Sequence, residues 1–396
     1  MRKKIIIRSG SLRMGGLERV LIEILQSIDK KKYDIILIID DDCGYDNIFE
    51  KDIPQEINYY FLKSQNLIKK TEYFKKRKNN IFFKLIYNLF MNFETFIMCY
   101  KMKKILNMIG PVDLLIDFDG GASKYIHKLK VPKKIVWIHN SIPRLKKKKS
   151  KIIRFGKRIE NYDRVVAICD EMKEELEEIY PNLKGKVVRI YNMFNFDRIL
   201  QQKDDISELK TEQLTYLNDD YCIAISRLDT VQKDYATLIE AFSLLNKNGI
   251  SKKLYIVGDG PDKRKIEQMI KDKNMDKNIK ILGRFKNPYI WLSHADFFIH
   301  SSKYEGFGLV LVEAAILGKM IVSSDCPVGP KEILENGKNG ILFKTGVAKE
   351  LVDAVEKIEK DPSLKNKYII NMNNSLSKFK KNKILQDIEK LIDGEI

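Results

Sequence analysis

The residues most capable of chemistry are two glutamates, Glu305 and Glu313, separated by seven residues around a Gly-x-Gly turn. Gly306 and Gly308 allow the backbone to approach a ligand closely. The apolar run after them is typical of the start of a helix, and the amides at a helix N-terminus favour an anion such as phosphate. The carboxylates could then accept hydrogen bonds from hydroxyl groups, Glu313 from a ribose and Glu305 from a sugar. A plain strand–turn–helix without a ligand would give the same pattern.

Two cations precede this segment in the chain. Arg227 follows a predicted strand, and Lys233 comes six residues later. A guanidinium fork together with an ammonium group is a suitable clamp for a diphosphate, although an arginine and a lysine on a surface loop would look alike. The glycine turn at 258–261 follows another predicted strand. Because ligands of open α/β sheets bind outside the carboxyl ends of the strands, we expect these loops to converge.

The elements that must position these residues alternate between short β-branched runs and helical patterns, which is typical of βαβ units. Strands are predicted at 4–8, 33–39, 113–118, 134–138, 164–168 and 186–190, and again at 221–226, 252–257, 280–282, 296–300 and 320–323. A polar stretch at 196–219 separates the two series. The chain has 396 residues, and at roughly 100–200 residues per domain this predicts an α/β protein with two doubly wound, Rossmann-like domains.

The charge distribution and the cysteine and histidine content exclude several kinds of site. The chain carries 72 Lys and Arg against 54 Asp and Glu, a formal charge of +18. The surplus is local, since residues 63–104 hold 11 basic and 2 acidic side chains and residues 128–158 hold 13 basic and no acidic ones. Five scattered cysteines exclude a disulfide framework and a CxxC site and fit a reducing compartment. The four histidines lack zinc-site spacing.

A strongly apolar segment at 81–109 is predicted to form one helix. Lys84, Asn88 and Asn92 recur every four residues and give it a narrow polar stripe. It could be a buried helix of the first domain, or an interfacial helix that lies on an anionic membrane beside the flanking lysines. Its longest uncharged run is nine residues, well short of the roughly 20 that span a bilayer.

The order of the motifs in the second half resembles family-4 glycosyltransferases of the GT-B fold. Arg227 and Lys233 are followed by Val-Gly-Asp-Gly-Pro at 257–261, Leu-Gly at 282–283 and the two glutamates. The resemblance extends through 326–333 and 337–340. In the first half, Gly-Gly-Leu-Glu-Arg at 15–19 is similar to the glycine loop of that family. His139 matches the position where the family often has an active-site histidine.

The resemblance implies retaining transfer of a sugar from a nucleotide donor, with two domains facing a central cleft and no required metal or other cofactor. Residues 1–195 would be the acceptor-side domain, 196–370 the nucleotide-sugar-binding domain, and a helix at about 371–396 would cross back to the first. Glu305 and His139 are assigned to the reacting centre. The implied donor-binding residues are Gly16, Arg227, Lys233, Gly283, Arg284, Phe285, Glu305, Gly306, Phe307, Gly308 and Glu313.

Two residues differ from the family pattern, and one further motif is similar to the metal-binding motif of a different fold. Ser226 and Asp234 stand where many family members have glycine, which leaves the local backbone path open. Asp117 and Asp119 have the Asp-x-Asp form that a different glycosyltransferase fold uses to hold a metal, but nothing else in the sequence supports a metal site.

The expected partners are a UDP-sugar donor, with the 326–330 segment resembling members that use N-acetylhexosamine donors, and a polyprenyl-phosphate-linked or glycan acceptor. The basic, apolar first domain predicts docking on an anionic membrane, so we expect a cytoplasmic, peripheral protein that binds no nucleic acid. The alternatives are a sugar-nucleotide epimerase of the same fold and a non-enzymatic basic protein that binds nucleic acid or membranes.

Overall fold

The computed structural model describes residues 2–396, which form two compact units. The first unit runs to Met193 and also contains Ile384–Ile396, and the second unit is Phe194–Lys383. The unit boundaries thus lie at 193/194 and 383/384, compared with the predicted 195/196 and 370/371.

The first unit is built on a parallel seven-stranded sheet in the order β3-β2-β1-β4-β5-β6-β7. Its strands are β1 (Lys3–Ser9), β2 (Tyr33–Asp41), β3 (Asn58–Lys63), β4 (Leu114–Asp117), β5 (Lys133–Ile138), β6 (Arg164–Ala167) and β7 (Val187–Arg189). Its helices are α1 (Gly16–Ser27), α2 (Gln65–Lys76), α3 (Ile81–Ile109), α4 (Ile142–Lys146), α5 (Lys149–Ile159) and α6 (Asp170–Ile179). The central strands are apolar runs because both faces of the sheet are covered, and Ile5, Ile6 and Ile7 are all buried.

The second unit is built on a parallel six-stranded sheet in the order β10-β9-β8-β11-β12-β13. Its strands are β8 (Tyr221–Ile225), β9 (Lys253–Val257), β10 (Ile279–Gly283), β11 (Phe297–His300), β12 (Met320–Ser324) and β13 (Ile341–Phe343). Its helices are α7 (Phe196–Gln201), α8 (Thr211–Leu214), α9 (Tyr235–Lys247), α10 (Lys263–Asp272), α11 (Tyr289–His294), α12 (Leu309–Ile316), α13 (Pro330–Ile333), α14 (Ala348–Lys360) and α15 (Ser363–Ser375). One continuous core packs α9, α10 and α14 against β8, β9 and β12.

The chain ends in a helix α16 (Lys381–Asp393) that contributes residues from Ile384 onward to the first unit. Ile388 and Ile392 are buried there, and the Lys3 ammonium donates to the Ile392 carbonyl at 2.6 Å. The predicted crossing helix of about 371–396 is therefore two helices, since α15 ends at Ser375 and a 3₁₀ turn at Leu376–Phe379 separates it from α16.

The sequence prediction missed both β3 and β13, which lie at sheet edges. An edge strand needs fewer buried residues, and β3 begins with exposed Asn58 and Tyr59 and buries only Leu62, so it forms no apolar run. The predicted linker at 196–219 contains the short helices α7 and α8.

Helix α3 has the predicted bounds and is mostly exposed. Only Glu94, Met98, Met102 and Ile105 are buried, all from the middle of the helix onward. By length and composition alone, α3 is apolar enough to cross a membrane. However, the Glu94 carboxylate lies 3.3 Å from the Lys63 ammonium and accepts from Thr71, which fixes the helix to the first unit.

Candidate active site

In the second unit, the predicted donor residues gather where the strand order reverses. Strands β8 and β11 are neighbours, although β9 and β10 come between them in the chain. Such a topological switch point leaves a crevice at the carboxyl ends of the strands. Lys233 and Ser302, from the loops after β8 and β11, pair as an antiparallel bridge. Lys233 and Glu305 are thereby brought to one place.

Glu305 is buried at the centre of a hydrogen-bonded network. Its Oε1 accepts from the Lys233 ammonium and from Ser302 Oγ at 2.6 Å, and lies 3.0 Å from His300 Nε2. Gln232 Nε2 donates to Glu305 Oε2 at 3.3 Å. Burial alone would raise the pKa of Glu305, but Lys233 and His300 outweigh it and hold that pKa well below its usual range. Glu305 is therefore an anion at physiological pH.

His300 is satisfied within this network. Burial lowers its pKa, and the hydrogen bond and charge of Glu305 oppose that shift only in part. Its Nδ1 lies 3.0 Å from Ser323 Oγ, so the ring is held on both sides. No sequence motif covers Ser302 or Gln232, so their contacts with Glu305 were not predicted.

The expected convergence of the loops is confirmed. Leu228 N donates to the Asp259 carbonyl at 3.0 Å, and Gly258 N donates to the Gly283 carbonyl at 2.8 Å. Gly258 has φ of 155°, and a Cβ there would overlap the Ser226 carbonyl. The glycine turn is thus needed for the loops after β8 and β9 to pack together.

The Gly-x-Gly turn leads into α12 as predicted. Gly308 has φ of 93° and precedes the first residue of the helix, Leu309. Glu313 lies on α12 and accepts from Tyr289 Oη at 2.9 Å. The Phe307 ring is buried and packs on Phe379 with centroids 5.8 Å apart, so it supports the turn from behind.

The other predicted donor residues of this unit are more accessible. Arg227 is exposed, and its guanidinium has no salt bridge or hydrogen-bond partner among residues 2–396. Arg284 is also exposed, and Gly283 has φ of 94° with open space around it. Phe285 is half-buried and tilts against Trp291 at 5.6 Å. The unpaired Arg227, in the loop between β8 and Lys233, leaves positive charge available to an anion.

The two departures from the family pattern have structural explanations. Asp234 is the N-cap of α9, where its Oδ2 accepts from Thr237 Oγ1 at 2.7 Å. Ser226 Oγ lies 2.7 Å from Tyr235 Oη. Asp234 caps α9 and Ser226 ties the start of α9 to the end of β8, so the backbone path is fixed without glycine.

In the first unit, His139 lies after β5 and lines a cavity of about 350 Å³ at the carboxyl end of the sheet. Burial lowers its pKa to about 4, which Asp119 and a hydrogen bond to the Phe118 backbone only partly offset. Its Nε2 is buried without a hydrogen-bond partner among the described residues. Gly16 is exposed at the start of α1, and its neighbour Leu17 lines the same cavity.

Both carboxylates of the Asp-x-Asp sequence, Asp117 and Asp119, pair with a buried arginine. The Arg8 guanidinium pairs with Asp40, Asp117 and Asp119. Burial raises the pKa of Asp117 to about 6 despite the nearby Arg8. Within residues 2–396, no group of His, Cys, Asp or Glu side chains has the arrangement of a metal site.

Comparisons with known proteins agree with this geometry. Residues 205–375, which cover the donor-site loops, match the family described as glycosyl transferases group 1. An uncharacterised glycosyltransferase of Methanocaldococcus jannaschii is 28% identical over 341 residues, 75% of this chain and 83% of its own length.

A second relative is the Campylobacter jejuni N-acetylgalactosamine-N,N'-diacetylbacillosaminyl-diphospho-undecaprenol 4-alpha-N-acetylgalactosaminyltransferase. It is 27% identical over 237 residues, which are 59% of this chain and 61% of that enzyme. This match thus spans less than two thirds of the Campylobacter enzyme.

Among solved structures, Anabaena HepE in complex with UDP and glucose superposes with a TM-score of 0.78 at 18% identity, covering 99% of this chain and 100% of HepE. The likeness confirms the predicted fold class, GT-B with two doubly wound α/β domains. Residues 205–375 thus match the group 1 glycosyl transferase family, and the protein is a glycosyltransferase that acts on nucleotide sugars.

Proposed function

We propose that the protein is a retaining glycosyltransferase that moves a sugar from a UDP-sugar to a lipid-linked or surface-glycan acceptor at the cytoplasmic face of a membrane. The observation that carries the proposal is the buried Lys233–Glu305–His300 network at the switch point of the second sheet. The exposed Arg227 lies in the loop between β8 and Lys233. These residues would bind the donor.

The chemistry of the step explains these residue types. Departure of a nucleoside diphosphate builds negative charge on the leaving phosphate, and preorganised cations lower that barrier. Arg227 would offer a free guanidinium fork, and Lys233 would offer ammonium protons that Glu305 does not use. Glu313 would bind the ribose, and the Glu305 Oε2 oxygen would accept from a sugar hydroxyl. No metal is required in this scheme, and the cations of the chain take that role.

The comparisons support the donor and the acceptor classes. HepE was solved with UDP and glucose, which motivates the uridine nucleotide. The Campylobacter relative acts, by its name, on a diphospho-undecaprenol carrier, which motivates the lipid-linked acceptor and an N-acetylhexosamine. The epimerase alternative has no support of this kind.

Docking on an anionic membrane rests on the exposed face of α3. Its exposed apolar residues recur at helical spacing and so share one face: Ile81, Phe82, Leu85, Leu89, Phe93, Phe96 and Tyr100. Ile81 is 79% exposed and Leu89 is 68% exposed. The adjacent helix α2 packs on α3 through Phe74 and Phe90, 4.9 Å apart, and carries exposed lysines. An apolar face beside basic side chains fits an interfacial helix on anionic lipid.

Transfer is tested by incubating the full chain with a panel of UDP-sugars and undecaprenyl-diphosphate-linked acceptors and analysing the products by mass spectrometry. We expect one UDP-sugar to be consumed with formation of a glycosylated lipid, and the anomeric configuration of the donor to be kept in the product. Absence of transfer together with absence of donor binding across the panel would reject the proposal. An isomerised nucleotide sugar without acceptor would favour the epimerase.

Docking is tested separately by flotation with phosphatidylglycerol vesicles. We expect the double variant Leu85→Glu/Leu89→Glu to lose vesicle binding, because it places two charges on the apolar face. The matched control Ile206→Glu/Ile370→Glu changes two exposed apolar residues of the second unit and should float like the wild type. Equal flotation of both variants would contradict docking through α3.

A further inference from the structure

The cavity beside His139 has the character of a ligand site. Its volume of about 350 Å³ lies within the range of small-molecule pockets, roughly 300–1,000 Å³. It opens where β1 and β4 adjoin, the switch point of the first sheet, since its lining includes Leu17, which comes after β1, and Asp119, which comes after β4. Its position therefore parallels that of the donor site in the second unit.

Three cations line this cavity. Lys124 ends a 3₁₀ turn, Lys146 ends α4, and Arg158 lies near the end of α5. Burial lowers the pKa of each, and mutual repulsion adds to the shift, since Arg158 acts on both lysines. Three separate elements thus bring like charges together.

None of these three side chains has a salt bridge or a hydrogen bond within the described chain, residues 2–396. Glu94 attracts Lys124 from a distance, but its carboxylate is engaged by Lys63 and Thr71. Concentrating unpaired like charges is unfavourable, so the arrangement calls for an anionic partner. The Lys146 ammonium is held over the Phe155 ring, 4.2 Å from its centroid, and stays directed at the cavity.

Other residues of the cavity lining suit a hydroxyl group. The Asp119 carboxylate pairs with Arg8 and accepts from Gly121 N at 2.9 Å. The lining keeps a net positive charge, since it has this one carboxylate against three cations. His139 has a ring nitrogen without a partner, as described above. A ligand with a sugar hydroxyl at one end and an anion at the other could bind both the hydrogen-bonding groups and the cations of this cavity.

We propose that this cavity is the acceptor site and that Lys124, Lys146 and Arg158 bind a phosphate or diphosphate group of the acceptor. The inference rests on the proposed glycosyl transfer and specifies its acceptor as a phosphorylated molecule. Arg and Lys forks on a phosphate form charge-assisted hydrogen bonds, which are stronger than neutral ones.

The test is calorimetric titration of inorganic pyrophosphate into the full chain with UDP at saturating concentration, so that the donor site is occupied. We expect pyrophosphate to bind the wild type and to bind the triple variant Lys124→Gln/Lys146→Gln/Arg158→Gln at least roughly tenfold more weakly. With a phosphorylated acceptor, the variant should raise the acceptor KM and leave the UDP-sugar KM unchanged. Unchanged UDP affinity shows that the variant is folded.

The control is Lys128→Gln/Lys149→Gln/Lys157→Gln, which removes the same charge from exposed neighbours that do not line the cavity. It should retain pyrophosphate affinity within about threefold, since screened surface charges contribute little. Equal losses in the two triple variants, or no pyrophosphate binding by the wild type, would overturn the inference. Failure of UDP to bind would instead reject the proposed donor site, and pyrophosphate titrated without UDP would still report on the cavity.

Discussion

The two switch points of the protein differ in whether their charged side chains are paired with one another. At the end of β8 and β11, Lys233 and Glu305 are buried and paired, and His300 is held between Glu305 and Ser323. At the end of β1 and β4, three cations line a cavity without salt-bridge partners within residues 2–396. The first site is compensated before any ligand arrives, and the second is not. Loss of a charged partner should therefore damage folding at the first site and ligand binding alone at the second.

The largest expected effect is that of Glu305→Gln. The change leaves the buried Lys233 without its anion, and breaking a buried pair costs about 3–5 kcal/mol. We expect a drop of that order in the free energy of unfolding, measured by urea denaturation, and a loss of transfer on the order of 10²–10³-fold. The exposed Glu212→Gln in the same unit is the control and should change neither quantity. Wild-type stability in Glu305→Gln would show that the network is not compensated as described.

A smaller effect is expected for Arg227→Ala, which separates binding from folding at the same site. Because Arg227 is exposed and unpaired among the described residues, its removal should leave the unfolding free energy within about 0.5 kcal/mol of wild type. Loss of charge-assisted hydrogen bonds to the donor should raise the UDP-sugar KM roughly 10–100-fold. The exposed Arg264→Ala on α10 serves as control. An unchanged KM would remove Arg227 from the donor site.

The smallest effect concerns the acid stability that His139 imposes on the first unit. Its pKa is lowered to about 4 in the folded state, below the usual value of about 6.5. The unfolded chain then binds a proton more readily, so stability is lost as pH falls from about 6.5 to 4. His139→Gln should lose less unfolding free energy between pH 7 and pH 5 than the wild type does.

Exposed His127 provides the matched control for this pH experiment. His127→Gln should keep the pH dependence of the wild type. If His139→Gln and the wild type lost equal stability between pH 7 and pH 5, the lowered pKa of His139 would not contribute to the pH dependence of the unfolding free energy.

The sequence was sufficient for the fold class and for the loops of the second unit, because glycine turns and β-branched runs are local signals. Gly258 and Gly308 adopt dihedrals that other residues rarely do, and so they leave a visible pattern. The edge strands β3 and β13 were missed because a short strand at an edge lacks a continuous apolar run.

The contacts within the sites were less predictable. The pairing of Lys233 with Glu305 joins residues 72 positions apart, and Ser302 and Gln232 carry no motif. The cationic cavity depends on three elements of the first unit that meet only in the folded chain. Lys146 and Arg158 counted in the sequence only as part of the basic stretch at 128–158, and Lys124 lies outside it. Local sequence cannot distinguish a lysine that lines a cavity from one that faces solvent.

Calorimetric titration of UDP and of uridine into the full chain tests most directly whether the switch point at β8 and β11 binds a nucleoside diphosphate. If Arg227 and Lys233 bind the diphosphate, UDP should bind at least roughly tenfold more tightly than uridine, and Arg227→Ala should reduce that difference. Equal affinity for UDP and uridine, or no binding of UDP, would contradict the assignment of the donor site.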